Sequence, residues 1–226
     1  MTKLALPKIQ KSPGSPFAGR YMIEGVPTPS VTQILDKMGM RPGHSHIDPD
    51  VLAAAGGRGT RVHEAISRHL TGERDPHIFL QPSDLPFYDA YLKFRLRYGI
   101  TEVYDVEKFV QYQGRYAGTL DAVVAIHSPR LKRSTITFLD WKTRDYVLGD
   151  GLQLAAYQAA YINTKYLEEG DECTFSTNQT ERWIVSLSKS GEFKVTKCND
   201  PLDWAIFVNC LKVFHWRLER GLIVEA

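Results

Sequence analysis

The chain reads as a mixed α/β (α+β) fold, a three-strand antiparallel meander flanked by helices, and three observations predict it. Runs rich in β-branched residues follow one another from 101 to 142 with only short, turn-like breaks. Apolar residues at helical spacing fill the stretches before and after those runs. Directly after the third run come Ala155, Ala156, Ala159 and Ala160, which predict a helix whose small side chains let it lie close on a sheet.

Taken in order, residues 1–17 carry Lys3, Lys8 and Lys11 among Pro7, Pro13, Gly14 and Pro16, a composition that predicts a flexible basic arm. One domain is expected over 18–226. Arg20–Glu24 reads as a short strand turning at Gly25, and Pro29-Ser30-Val31-Thr32 opens a helix through Met38 with Ser30 as its cap. Asp48-Pro49 caps a helical stretch reaching Leu70, in which Gly56, Gly57 and Gly59 predict a break or very close packing near the middle. Beyond it, Gly59, His63, Ile66 and Leu70 share one face. Ser83-Asp84 and Pro86 begin a helix that ends at Gly99, with Phe87, Tyr91, Phe94 and Tyr98 as its core stripe.

Thr101–Gln113 and Arg115–Ile126 read as strands about a turn at Gly114, and Ser134–Lys142 follows the loop His127–Arg133 as the third strand of the meander. The alanine-rich helix spans Gly151–Leu167. Arg182–Leu187 and Glu192–Thr196 form a hairpin over Lys189-Ser190-Gly191, and Trp204, Phe207, Val208, Leu211 and Leu218 mark a closing amphipathic helix. No internal repeat is present.

The formal charge of +2 is too mild to identify a nucleic-acid binder, so any electrostatic footprint is local. Cys173, Cys198 and Cys210 are odd in number, widely spaced and without a CxxC pair, which argues against a disulfide framework, a zinc site or an iron-sulfur cluster and for reduced, buried thiols. No apolar run approaches the ~18 residues that cross a bilayer, and the N-terminus lacks the apolar core of a secretory signal. A cytoplasmic protein with no membrane partner is expected.

The chemistry concentrates in the meander. Asp140 and Lys142 are two apart in a strand, so both side chains point to one face. Asp121 lies in the neighbouring strand, and two acids and a lysine then converge. An Asp-x-Lys by itself is common in exposed strands. Here Ile136, Phe138 and Leu139 precede the acid and Trp141 follows it, so Asp140 ends a buried strand, where an unpaired charge is costly without a metal or partner. Phosphodiester hydrolysis adds negative charge to an anionic centre, and divalent cations both offset it and activate water. Mg²⁺ and Mn²⁺ prefer oxygen ligands, of the kind Asp121, Asp140 and the backbone carbonyl of Trp141 offer, with Lys142 beside them to orient or deprotonate the attacking water. Gly118 leaves room for backbone or substrate. Gln153 and Tyr157, one helical turn apart, share a face that serves either a sheet contact or the site.

These residues resemble the PD-(D/E)xK nucleases, specifically the RecB-like branch that includes phage exonucleases and the mitochondrial genome maintenance exonuclease. Pro29-Ser30-Val31-Thr32-Gln33-Ile34-Leu35 is similar to that branch's N-terminal segment, and Arg58-Gly59-Thr60-Arg61-Val62-His63-Glu64 to its histidine-bearing helix. Gly118-Thr119-Leu120-Asp121 resembles the first acidic motif, Asp140-Trp141-Lys142-Thr143 the second acid and lysine, and Gln153-Leu154-Ala155-Ala156-Tyr157 the closing helix motif. The resemblance implies a restriction-endonuclease-like core with a central mixed sheet. It implies His63, Asp121 and Asp140 as metal ligands for one or two Mg²⁺ or Mn²⁺ ions, Lys142 as the water-activating residue, and Gln153 with Tyr157 as supports of the site and the scissile strand. Glu107, in Val106-Glu107-Lys108-Phe109, matches an extra acid that many members carry on the preceding strand. The four cysteines of the iron-sulfur members are missing, and without a Gly-x-x-x-x-Gly-Lys loop any unwinding partner is a separate protein.

Arg58, Arg61, Arg115 and Arg144 flank the motifs as phosphate contacts, and Tyr112, Tyr116, Trp141 and Tyr146 are aromatics able to stack on bases. Solvated charges and core aromatics are the favoured reading of all but Arg144 and Arg61, which with Tyr157 are the expected nucleic-acid contacts. The expected activity is metal-dependent exonuclease action on DNA with free ends or single strands, in phage or bacterial recombination, replication or repair, beside a helicase or single-strand annealing protein. A structure-specific endonuclease, a non-catalytic DNA-binding module and an RNA nuclease are the alternatives.

Overall fold

The computed structural model describes residues 9–11, 21–43, 47–128, 133–169 and 179–223. Two sheets organise it. Strands β1 (Ile9–Lys11), β2 (Tyr21–Ile23) and β3 (Val26–Thr28) form a small antiparallel sheet, and β4 (Ile100–Tyr112), β5 (Tyr116–Ser128), β6 (Arg133–Lys142), β7 (Thr180–Leu187) and β8 (Phe193–Lys197) form the central one in that order. Only the β6–β7 pair is parallel, and helix α4 (Leu148–Glu169) makes the crossover between them. The sheet is therefore mixed, with the antiparallel meander β4–β5–β6 on one side, as the sequence predicts.

The central sheet divides the interior into two cores. Leu120, Val123, Phe138 and Ile184 face α1 (Val31–Lys37), α4 and α5 (Pro201–Glu219). Ala122, Val124, Leu139, Trp141 and Val185 face α2 (Pro49–Leu70) and α3 (Leu85–Tyr98), where Phe87, Tyr91 and Phe94 are buried as the sequence stripe requires. The alanine face of α4 sits on the sheet closely enough for the Tyr116 hydroxyl to donate to the Ala156 carbonyl at 3.0 Å.

Helix ends follow their local chemistry. Ser30 and Gln33 form a reciprocal capping box at α1, Asp48 Oδ1 accepts from the Asp50 amide at 2.8 Å, and Gly99 closes α3 in the left-handed region at φ 57°. Two expectations are corrected. Helix α2 runs unbroken through Gly56, Gly57 and Gly59, because each glycine costs only about 1 kcal/mol relative to alanine and the buried Val62, Ala65, Ile66 and Leu70 anchor the following turns. The N-terminal arm is not wholly flexible, since Ile9–Lys11 add a strand to the otherwise open edge of β2; the rest of 1–17 lies outside the described residues. Cys198 and Cys210 are buried free thiols, and Cys173 lies outside the described residues. Among the described residues no helix is long and apolar enough to cross a membrane.

Candidate active site

The site forms where the central sheet forks. Pairing between β5 and β6 ends at Ala122↔Leu139, whereas β5 continues beside β4 as far as Tyr116 and β6 continues beside β7 as far as Lys142↔Ser186. Asp121 and Asp140 are the first residues past the split, one on each prong. Backbone groups that lose their ladder partners at the split need others. The Trp141 amide donates to Asp121 Oδ2 at 2.8 Å, and the Trp141 carbonyl accepts from His63 Nε2, also at 2.8 Å. His63 reaches the fork from α2, and its Nδ1 lies 3.4 Å from Asp121 Oδ2. The carbonyl that the sequence reading offered to a metal is thus engaged by the histidine.

Glu107 joins from β4. Val106 pairs with Ala122 and Lys108 with Leu120, which sets Glu107 at the register position opposite Asp121. Its backbone is in the left-handed region at φ 48°, uncommon for a residue with a side chain and a form of strain that clusters at functional sites. One ligand-type atom each from His63, Glu107 and Asp121 lies within 4.8 Å of the others. Two opposed carboxylates beside a left-handed glutamate are unfavourable by themselves, and a cation between them relieves the repulsion.

On the other prong, Asp140 is 2 % exposed. Its Oδ2 is 2.7 Å from Lys142 Nζ, a buried ion pair. A buried carboxylate next to a histidine and two more acids fits a divalent cation well. Asp140 lies outside the tight His63–Glu107–Asp121 group, so the acid taken from the preceding strand, rather than Asp140, completes the closest donor set.

The electrostatics follow from burial and neighbours. Burial raises the Asp140 carboxyl and Asp121 adds to this; Lys142 opposes both, and the net result is a pKa of about 6. Burial would raise Asp121 as well, but His63, Lys142 and the Trp141 amide hold it below the usual carboxylate range. For His63, burial pulls the pKa down while Asp121 and then Asp140 outweigh it, so the imidazole is pushed up to about 9; a metal ion held by this ring would have to displace that proton.

Helix α4 supports this arrangement from behind. Lys142 Nζ donates to Gln153 Oε1 at 3.4 Å, and Gln153 Nε2 donates to the Tyr157 hydroxyl at 3.2 Å. Tyr157 is 6 % exposed, which makes it a wall of the site rather than a surface for nucleic acid. Its ring occupies the space beside Gly118, where a Cβ would come within 2.3 Å of Cε1.

The two arginines expected at phosphates are held by carboxylates. Arg61 grips the fully buried Asp84 through Nε at 2.6 Å and Nη2 at 3.2 Å, and Arg144 grips the fully buried Asp150 at 2.6 and 2.8 Å. Asp84 and Asp150 carry no motif, and only Asp84 was marked in the sequence, by its place at a helix start. Tyr116 and Trp141 are buried, and Tyr112 stacks on Tyr116 at 5.5 Å, so these aromatics belong to the core. Missed as well was an open cleft of about 560 Å³ beside the fork, lined by Gly59, Thr60, His63, Glu64, Glu107, Phe109 and Thr119.

No protein-family model matches the chain, and no curated protein matches it. Eleven chains of solved structures do. One of them, "Crystal structure of SSO0001", is 15% identical over 80% of this chain and 81% of that chain, with a TM-score of 0.31.

Proposed function

We propose that this protein is a Mg²⁺- or Mn²⁺-dependent deoxyribonuclease that removes nucleotides from DNA ends. One observation carries the reading: His63, Glu107, Asp121, Asp140 and Lys142 meet at a fork in the sheet, three of them with ligand atoms within 4.8 Å of one another and Asp140 paired with Lys142 beside them. His63, Glu107 and Asp121 would hold the cation, with Asp140 next to them. A divalent cation there supplies charge neutralisation at the phosphodiester and favours ionisation of water near neutral pH.

The chain's own groups do the positioning. Lys142 is held between Asp140 and Gln153, and its ammonium has three donors, so one N–H stays available to orient the attacking water or to meet charge growing on the phosphate. Asp140, 2.7 Å from Lys142 Nζ, fixes that ammonium at the fork. Water oxygen bonds to phosphorus as the P–O3′ bond breaks, the departing O3′ takes up a proton, and a 5′-phosphate is left. Tyr157, whose hydroxyl burial and the nearby acids hold neutral, fixes Gln153.

The resemblance to RecB-like PD-(D/E)xK nucleases supports the same reading and suggests work in the cytoplasm of a bacterial or phage-infected cell, beside a helicase or annealing protein. The test is release of nucleotides from end-labelled DNA with Mg²⁺ or Mn²⁺ and its loss in EDTA. Asp121→Asn, Asp140→Asn and Lys142→Ala should each lower the rate by about 10²-fold or more. Full activity in the Asp140→Asn protein overturns the site. Covalently closed circles stay intact if the enzyme needs ends and are nicked if it is an endonuclease.

A further inference from the structure

We infer that the cleft beside the fork seats an unpaired base on Phe109, which makes single-stranded DNA the substrate class of the site; this rests on the nuclease reading above. The cleft volume of about 560 Å³ suits a ligand of nucleotide size. His63 and Glu107 line its inner end. Phe109 lies two residues beyond Glu107, about 7 Å along β4, and lines the same cleft.

Phe109 is 38% exposed, whereas Val110 beside it is fully buried in the core. An exposed apolar side chain is ordinary in isolation. This one stands in a polar cleft next to a group of carboxylates, and its ring is buttressed. Tyr21 meets it edge-on at 6.1 Å, and the Tyr21 hydroxyl is fixed by Thr119 Oγ1 at 2.9 Å.

The charges of the cleft decide what it can bind. Among the described residues no lysine or arginine lines it, and Glu64 and Glu107 are acidic. Arg61 is committed to Asp84, and Arg68 to Glu64 and Glu73. Among the described residues, a phosphate away from the proposed metal centre finds no cation here, while a base finds an aromatic ring. A base inside a duplex would have to leave its stack to reach that ring, and one in a single strand does not.

The test is fluorescence anisotropy with a labelled twelve-residue oligothymidylate and an abasic backbone of equal length, using the Asp140→Asn background with Mn²⁺ so that neither is cut. Phe109→Ala should weaken oligothymidylate binding by roughly 5- to 100-fold and leave the abasic backbone within about twofold, and Phe109→Trp should restore the preference. Thermal melts of both variants show whether the fold persists, and Phe109→Leu keeps the apolar bulk without the ring. Equal loss for both ligands, or no loss for either, overturns the stacking site. If the wild-type chain releases nucleotides from DNA but treats base and abasic ligands alike, stacking fails and the nuclease reading stands; if it releases none, the nuclease reading fails.

Discussion

Gly118 sets the position of the residues behind the fork. Its missing side chain admits the Tyr157 ring, Tyr157 holds Gln153, and Gln153 holds Lys142. Gly118→Ala forces a methyl to 2.3 Å from a ring carbon in a packed interior, and the expected cost is roughly 1–3 kcal/mol in urea unfolding. Cleavage should fall further than stability accounts for, because displacing Tyr157 releases the lysine; a variant as active per folded molecule as wild type would contradict this. The need for space at Gly118 was legible in the sequence, but the occupant was not, since Tyr157 lies 39 positions further on and arrives only with α4. The arginines teach the same lesson. Arg61 and Arg144 were legible as cations beside motifs, yet their partners Asp84 and Asp150 are set by how helices dock, which no local pattern encodes. Asp140 and Lys142 were legible because a strand's period of two puts them on one face, and Asp121 because it lies in a run that reads as the neighbouring strand.

At the scale of elements, the Arg61–Asp84 pair fastens α2 to the start of α3 and so fixes the helix that carries His63. Burial alone would raise the Asp84 carboxyl, but the hydrogen bonds from Arg61 and from the Gln81 amide hold it below its ordinary value. A carboxyl whose pKa is lower folded than unfolded contributes stability above its unfolded value, about 3.9, and loses it as pH falls through the folded value. Part of the acid unfolding below about pH 4 therefore belongs to Asp84. Asp84→Asn should lower stability at pH 7 by roughly 1–3 kcal/mol and flatten the acid limb of a stability-versus-pH curve; an unchanged acid limb would remove Asp84 from the account. Most elements were readable from caps and periodicity. The continuity of α2 was not, because glycine's helix penalty is local whereas the packing that overrides it involves α3 and the sheet. Strand β1 escaped notice because a three-residue strand has no period to detect, and its pairing depends on the open edge of β2.

For the whole molecule, the proposed ligand groups come from two separated pieces of chain, α2 and the β4–β5 hairpin. A cation held by all of them binds the folded protein and not the unfolded one. Mn²⁺ at a hundred times its dissociation constant should thus add about 2.7 kcal/mol of stability, seen as a rise in melting temperature that EDTA reverses. Asp121→Asn should abolish the rise, and a chain that melts at the same temperature with and without Mn²⁺ would leave the fork without its proposed ligand.

The split in pairing has a mechanical side. The central sheet consists of two leaves, β4–β5 and β6–β7–β8, hinged along seven residue pairs from Ala122↔Leu139 to Ser128↔Arg133 and parted beyond them. Asp121 and Glu107 ride on one leaf, Asp140 and Lys142 on the other, and His63 touches the parted ends from above. Small changes in twist between the leaves alter the gap between the acids without unfolding either leaf, as the jaws of a clothes-peg move about their spring. A cation that also drew in Asp140 would rivet the two leaves, and the sheet itself, rather than a separate lid, would then be the part that stiffens.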